Sequence, residues 1–332
     1  MSVAGVGSVT TVDVSIVVVS FNTCELLARC LASLPAAAGE LSWQAIVVDN
    51  ASRDGSVAMV RERFPEVECH AMADNLGFAR GTNLGMARAT GRLRVWLNPD
   101  CEMTPGSLVA LVCHLEQHPE AGAVGPRLIH DDGRVQPSAQ AFPSGSRMLY
   151  HFLGLRSVAR IAWLRSVLLR LAPPSAKMTR AYLAALDPGI EPREVDWVSG
   201  ACLATRAEVA SRVGPIDETY FMYCEDTDWC HRVHAAGWRV HYLPGATVIH
   251  RAGASHPSNP LAAYYYYGSL VRYFLRYRPD QFAALRVLML VAFALRGLGG
   301  ELKRVLGRGA DHPWWRLVAL CWSLDRLAET RA

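Results

Sequence analysis

The feature that most constrains this chain is an alternation of short β-branched runs with stretches of helical spacing. Val14 to Ser20 reads VSIVVVS, apolar at nearly every position rather than at every second one. A strand of that kind has both faces covered, as in a parallel sheet held between two helix layers. Gln44 to Val48 repeats the pattern and ends at Asp49, and Val67 to Met72 and Leu93 to Leu97 read as a third and a fourth strand. Glu25 to Leu34 (followed by Pro35), Ser56 to Phe64, Gly77 to Ala89 and Pro105 to His118 carry helical spacing. The prediction is an α/β fold with a doubly wound, mostly parallel central sheet. Ligands of such sheets bind beyond the carboxyl ends of the strands. Three polar clusters fall there: Ser20-Phe21-Asn22, Asp49-Asn50 and Asn98-Pro99-Asp100.

Beyond residue 120 the pattern shifts. Gly122 to Ile129 and Val195 to Thr205 read as strands, as do Arg239 to Leu243 and Thr247 to His250. Arg206 to Val213 and Asp226 to Ala236 read as helices, and residues 147–171 as one or two basic amphipathic helices ending at Pro173-Pro174. After His256 the chain becomes a Tyr-rich, then Leu/Arg-rich helical tail.

The 332 residues are 51% hydrophobic and 19% charged, which excludes a mostly disordered chain. The net charge of +4 hides an asymmetry. Residues 133–186 hold eight Arg/Lys and no acid, and residues 272–308 hold eight Arg/Lys and two acids, so the remainder is acidic. An acidic body with two basic, Leu-rich segments points to an anionic membrane surface and away from nucleic acid. Nine cysteines without a CxxC pair suggest neither a disulfide framework nor a zinc site, and fit a reducing cytosol. No signal peptide is read before Asp13. The apolar stretch Val287 to Leu295, bounded by Arg286 and Arg296, falls short of the ~20 residues a spanning helix needs. It reads as a core helix or as one lying on a bilayer.

Two clusters carry possible chemistry. Asn98-Pro99-Asp100 places polar side chains in the loop beyond a strand, where one carboxylate can help hold a hard divalent cation; the same tripeptide also makes an ordinary turn. Phe221 to Trp229 (FMYCEDTDW) sets Glu225, Asp226 and Asp228 at a helix start among apolar residues. The helix dipole explains one acid there. A carboxylate crowded by apolar groups and another carboxylate has a raised pKa, which suits a general base. His250, 24 residues after Asp226, is a core histidine or a ligand for an Mn²⁺-like ion. Gly77, Gly81 and Gly85 share one helix face, for approach either to a nucleotide or to the sheet. Neither GxGxxG nor a Walker A sequence is present, so a dinucleotide dehydrogenase or NTPase is unsupported.

Taken together, VSIVVVSFN, VVDNASRDGS, DNLGFARGTNLG, LNPD, WVSGACLATR and YCEDTDWCHR…VIH resemble the family 2 inverting glycosyltransferases, most of all their bacterial rhamnosyltransferase-like branch. The resemblance covers about residues 13–252. It implies a GT-A fold, a nucleotide-sugar donor, a divalent metal (Mg²⁺ or Mn²⁺) and single displacement with inversion. Residue by residue, Asp49 matches the base-recognition carboxylate, and Ser20 and Asn22 the nucleoside contacts. Asn75 and Gly77 match the next nucleotide-side loop. Asn98-Pro99-Asp100 corresponds to the DxD metal motif with Asn in place of the first acid, leaving Asp100 as the main carboxylate and His250 as a further metal ligand. Asp226 matches the general base with Glu225 supporting it, and Trp197, Gly200 and Ala201 match the loop beside donor sugar and acceptor. Trp197 is equally a core tryptophan by position.

The branch suggests dTDP-rhamnose as donor. The basic segment with Arg156, Arg160, Arg165 and Arg170, and Tyr264 to Tyr267, Tyr273 and Tyr277 as an interfacial belt, suggest a lipid-linked saccharide acceptor at the cytoplasmic face of the inner membrane. The same residues also suit a helical subdomain or a homodimer interface. The expected organisation is a tail at 1–12, a GT-A domain at 13–255 and a helical region at 256–332 for membrane contact or oligomerisation. The GT-A domain comprises a nucleotide half (13–125) and an acceptor half (126–255) with a helical insert at about 147–190. The competing readings are the same mechanism with a UDP-hexose, and a catalytically silent nucleotide-sugar-binding scaffold.

Overall fold

All seven residues of β1 (Val14–Ser20) are buried, as a both-faces-covered strand requires. The structure, a computed structural model, describes residues 12–153, 189–251, 262–305 and 314–319, with positions 167, 170, 171 and 321. After β1 come α1 (Cys24–Ala38), β2 (Trp43–Asp49), α2 (Ser56–Arg63), β3 (Glu68–Ala71), α3 (Gly77–Met86), β4 (Leu93–Leu97), β5 (Cys101–Met103) and α4 (Ser107–Gln117). Next are β6 (Ala121–Ile129), β7 (Val135–Gln136), β8 (Ala139–Gln140), α5 (Gly145–Phe152), β9 (Arg193–Val195), β10 (Trp197–Val198) and β11 (Cys202–Arg206). Then follow α6 (Ala207–Val213), α7 (Glu225–Ala235), β12 (Arg239–His250), α8 (Ala262–Tyr277) and α9 (Pro279–Val305).

The main sheet runs β3-β2-β1-β4-β11-β6-β12-β5. The first four strands are parallel, β11 is antiparallel to β4 and β6, and β12 is parallel to β6. Side-chain alternation along β1 splits the core. Val14, Ile16 and Val18 pack with Leu27, Leu31 and Leu34 of α1 and Leu108, Leu111 and Leu115 of α4. Val17 faces the other layer with Ile46. There α3 lies so close that a Cβ on Gly85 would stand 2.3 Å from Val17 Cγ1, and one on Gly81 2.9 Å from Val19 Cγ1. Those two glycines therefore serve helix–sheet packing. This is the doubly wound, mostly parallel arrangement expected of a GT-A fold.

The register brings the working loops to one end. Ser20 lies beside Asp49, and Val18 beside Leu97 just before Asn98. Cys202 opens β11 opposite Leu97, so the preceding loop shares that end. β12 runs parallel to β6, antiparallel to β11 and so with β4, and delivers His250 there too.

Several elements differ from expectation. Helix α1 continues through Pro35 to Ala38, because burying Ala37 and Ala38 outweighs one lost backbone hydrogen bond. Helix α4 begins at Ser107, after Gly106 at φ +73°. The 195–205 return is interrupted at 199–201, so β10 pairs with β8 in a separate ribbon and β11 joins the main sheet. The two strands expected over 239–250 are one, with an irregularity between Leu243 and Thr247.

Helices α8 and α9 form a second core. Leu270, Val271 and Phe274 pack with Leu285, Met289 and Phe293, and with Tyr220 and Cys224 just ahead of α7. Tyr267 and Tyr273 are buried in it, and of the expected tyrosine belt only Tyr264 ranks as exposed. Ring-to-ring packing, such as Tyr267 on Phe293 at 4.7 Å, accounts for the burial. The apolar stretch around Val287–Leu295 belongs to a longer helix, and Pro279–Glu301 has the length and composition to cross a membrane. One face of it is packed; on the other, Val287, Val291, Leu295 and Leu298 are each more than half exposed. The expected basic helix begins as α5, but Arg156, Arg160 and Arg165 lie outside the described residues, as do 1–11.

Candidate active site

The loops at the carboxyl end of the sheet enclose a cleft of about 570 Å³. Small-molecule sites occupy about 300–1,000 Å³. Ser20, Asn75, Gly77, Asn98 and Asp100 line it, as do Trp197, Gly200, Ala201, Glu225, Asp226 and His250. Six segments far apart in sequence thus meet around one space. Asn22 and Asp49 are not on its wall. The Asn22 side chain accepts from Arg53 N–H at 2.8 Å and braces the loop after β2. Asp49 is buried; its Oδ1 accepts from Ser52 N–H at 2.8 Å, while its Oδ2 has no hydrogen-bond partner among the described residues.

The acidic pair heads α7. Tyr223 and Cys224, immediately before it, hold φ of +69° and +62°. Left-handed backbone costs a non-glycine residue about 1–2 kcal/mol, and such strain gathers where function needs a geometry. The contacts of Tyr220 and Cys224 with the α8–α9 core hold the turn. Asp226 Oδ2 accepts from Gly200 N–H at 2.8 Å and Oδ1 from Thr227 N–H at 2.7 Å. A Cβ on Gly200 would lie 3.2 Å from Asp226 Cβ, so a side chain there would crowd this contact. Glu225 is 7% exposed and its Oε2 has no hydrogen-bond partner. Burial, then the neighbouring Asp226, pushes Glu225 well above the usual carboxylate range. Burial also raises Asp226, against the three hydrogen bonds it accepts from Gly200 and Thr227. The third acid does a different job. Asp228, fully buried, accepts from Tyr277 Oη at 2.8 Å and Arg232 Nε at 2.9 Å, with Arg276 Nη1 3.1 Å away, tying α7 to α8.

On the wall of the same cleft, His250 Nε2 lies 3.4 Å from Asp100 Oδ1. Gln136, which the sequence reading passed over, sets the orientation. Its Nε2 faces His250 O and His130 Nδ1, so its Oε1 faces His250 Nδ1 at 2.9 Å. His250 Nδ1 donates to Gln136 Oε1, and its Nε2 points at the Asp100 carboxylate.

The sequence has its parallel in known proteins. The sequence model described as Glycosyl transferase family 2 matches residues 15–167. An N-acetylglucosaminyl-diphospho-decaprenol L-rhamnosyltransferase of Mycobacterium tuberculosis is 36% identical over 265 residues, covering 75% of this chain and 80% of that protein. The chain belongs to glycosyl transferase family 2. It is a glycosyltransferase. Rhamnosyltransferase WbbL of Escherichia coli is 47% identical over 58 residues, 18% of this chain and 22% of that one. The solved structure of GalNAc-T7 with UDP, GalNAc and Mn²⁺ has a TM-score of 0.49 at 15% identity, over 73% of this chain and 44% of that one.

The donor set of this glycosyltransferase fits a divalent cation. One atom each of Asp100, Cys101 and His250 lie within 4.8 Å of one another. Cys101 is a poor candidate ligand: burial pushes its thiol far up, and it donates to Ala201 O at 3.3 Å. A carboxylate facing an imidazole lone pair is a favourable arrangement with a cation between them. Asn50, absent from the expected site residues, lines the cleft with a buried Oδ1 lacking a partner, while its Nδ2 donates to Gly77 O at 3.0 Å. Phe221, Tyr223 and Tyr266 also line it; no local pattern in the sequence marks them.

Proposed function

We propose that this glycosyltransferase moves rhamnose from dTDP-rhamnose to a hydroxyl of a polyprenyl-diphosphate-linked saccharide, with inversion. The observation that carries the reading is that Glu225, which is buried, and the half-buried Asp226 line the same cleft as Asp100 and His250. The 36% identical rhamnosyltransferase supports the choice of sugar and of acceptor class.

Asp226 is the base. The Gly200 and Thr227 hydrogen bonds fix its carboxylate at the cleft wall. It takes the proton of the acceptor hydroxyl as that oxygen bonds to the anomeric carbon. The bond from that carbon to the diphosphate breaks, and dTDP leaves with the electron pair. Burial raises Glu225, which favours its protonated form and so lessens the negative charge beside Asp226. Asp100 and His250 are the residues that would hold Mg²⁺ or Mn²⁺, which when bound neutralises diphosphate charge. Asp49, the carboxylate that the resemblance assigns to the thymine N3–H, is buried off the cleft wall beside Asn50, which lines it, and Ser20, Asn75 and Gly77 border the nucleoside. Trp197, anchored by its Nε1 on Ala141 O at 3.1 Å, offers its ring to the sugar or lipid.

A lipid-linked acceptor suits an enzyme working against an anionic membrane at its cytoplasmic face, and that location is part of the proposal. The exposed stripe on α9 supports this, because α9 packs on α8, whose Tyr266 and Leu270 line the cleft. Flotation with anionic liposomes is expected, and Val291→Asp reduces it; equal flotation of variant and parent counts against the stripe.

Calorimetry with a panel of nucleotide sugars, with and without Mg²⁺ or Mn²⁺, tests the donor. Metal-dependent binding of dTDP-rhamnose is expected. Preference for a UDP-hexose replaces the donor and leaves the family intact. Binding of dTDP-rhamnose without turnover in the presence of acceptor favours the silent scaffold.

A further inference from the structure

At the far end of the sheet, a cluster of histidines has no part in the reaction above. His114 and His118 lie one turn apart at the end of α4, Glu120 precedes β6, and His241 stands near the start of β12. One ligand atom each of His118, Glu120 and His241 lie within 4.8 Å of one another. The His114 and His118 ring centroids are 4.3 Å apart, and His118 and His241 5.5 Å. His241 and His250 lie on one strand, nine residues apart. At ~3.3 Å per residue they are about 30 Å apart, so this cluster is separate from the cleft.

We propose that His118, Glu120 and His241 form a site for a zinc-like divalent ion, with His114 as the residue that orients His241. Two imidazoles, one carboxylate and an open position make a known zinc donor set, whereas Mg²⁺ selects oxygen ligands. His114 Nε2 lies 2.9 Å from His241 Nδ1, so one bond sets the tautomer of both rings. With the proton on His241 Nδ1, its Nε2 is left to coordinate. Tetrahedral ligation brings ligand atoms to roughly 3.4 Å apart. The exposed Glu120 and half-exposed His118 have the rotamer freedom to close that distance. Main-chain bonds already gather the three segments: Ala121 N–H donates to His118 O at 3.0 Å, and Arg239 N–H to Glu120 O at 2.9 Å. An ion here pins α4, β6 and β12 together where the last two strands begin, and its effect is on stability.

The test is Zn²⁺ titration of the full chain carrying His250→Ala, which removes an imidazole from the cleft, in the presence of excess Mg²⁺. Calorimetry is expected to show one Zn²⁺ per chain and thermal melting a raised midpoint. Adding His118→Ala and Glu120→Gln, both outside the core, abolishes binding and the midpoint shift while the ion-free melt stays unchanged. His114→Gln weakens Zn²⁺ by ~10–100-fold, the usual cost of losing an orienting partner. Absence of binding to the His250→Ala chain overturns the site, as does an isotherm that His118→Ala and Glu120→Gln leave unchanged.

Discussion

Replacing Asp226 with Asn separates chemistry from folding at the centre of the cleft. The carboxylate accepts hydrogen bonds from Gly200 N–H, Thr227 N–H and Thr227 Oγ1. A carboxamide of the same shape keeps one oxygen, so one backbone donor loses its acceptor at about 1–3 kcal/mol. Against that, the variant removes a charge that burial disfavours, which is stabilising. The two effects offset, and the melting midpoint is expected to move by only a few degrees. With Asp226 as the proposed base, turnover is expected to fall by ~10²–10⁴-fold. Wild-type rate should also climb with pH through a value above that of an ordinary Asp, because only the deprotonated carboxylate accepts the proton. The assay is nucleoside diphosphate release in the presence of acceptor, with donor binding measured alongside. A variant that binds donor and keeps turnover within about tenfold of wild type would show that Asp226 is not the base.

Other consequences follow from single contacts. The raised pKa of Glu225 means that the folded state holds more protons than the unfolded one above pH ~4.3, so wild-type stability declines as pH climbs through that window. Glu225→Gln lacks that decline; denaturant unfolding should find it more stable than wild type at pH 8, with the gap closing toward pH 4. Gly85→Ala forces a Cβ to 2.3 Å from buried Val17 and should cost about 1–3 kcal/mol in denaturant unfolding, whereas Gly268→Ala in α8, with open space around it, should gain up to about 1 kcal/mol. Gln136→Leu removes the bond that sets His250 and should weaken Mn²⁺ binding at the cleft ~10–100-fold by calorimetry, with the His250 ring nitrogen shifts moving in NMR.

Much of the sheet was legible because its evidence is local. β1, β2 and β4 are short apolar runs, and burial on both faces leaves such a run few alternatives. Ser20 and Asn98, at the ends of β1 and β4, were legible as cleft residues for the same reason, whereas Asp49 at the end of β2 lies off the cleft wall. What escaped depends on partners remote in sequence. Gln136 is set between His130 and His250, which lies 114 positions away. The left-handed Tyr223-Cys224 turn is held by helices that follow it by some 40 residues or more. Composition alone made the tyrosines around 264–277 resemble a membrane belt; only the packing of α8 on α9 shows most of them facing inward. Gly81 and Gly85 remained ambiguous until Val17 and Val19 were placed beneath them. Asn22 was marked by its strand-end position, yet its side chain is spent on the Arg53 backbone.

The central claim is most directly tested by incubating the protein with dTDP-rhamnose, a divalent cation and a polyprenyl-diphosphate-linked N-acetylglucosamine, then determining product mass and anomeric configuration. The account predicts one rhamnosyl unit added with inverted configuration, and no product from Asp226→Asn. Transfer from a UDP-hexose but not from dTDP-rhamnose, or a product of retained configuration, would contradict it.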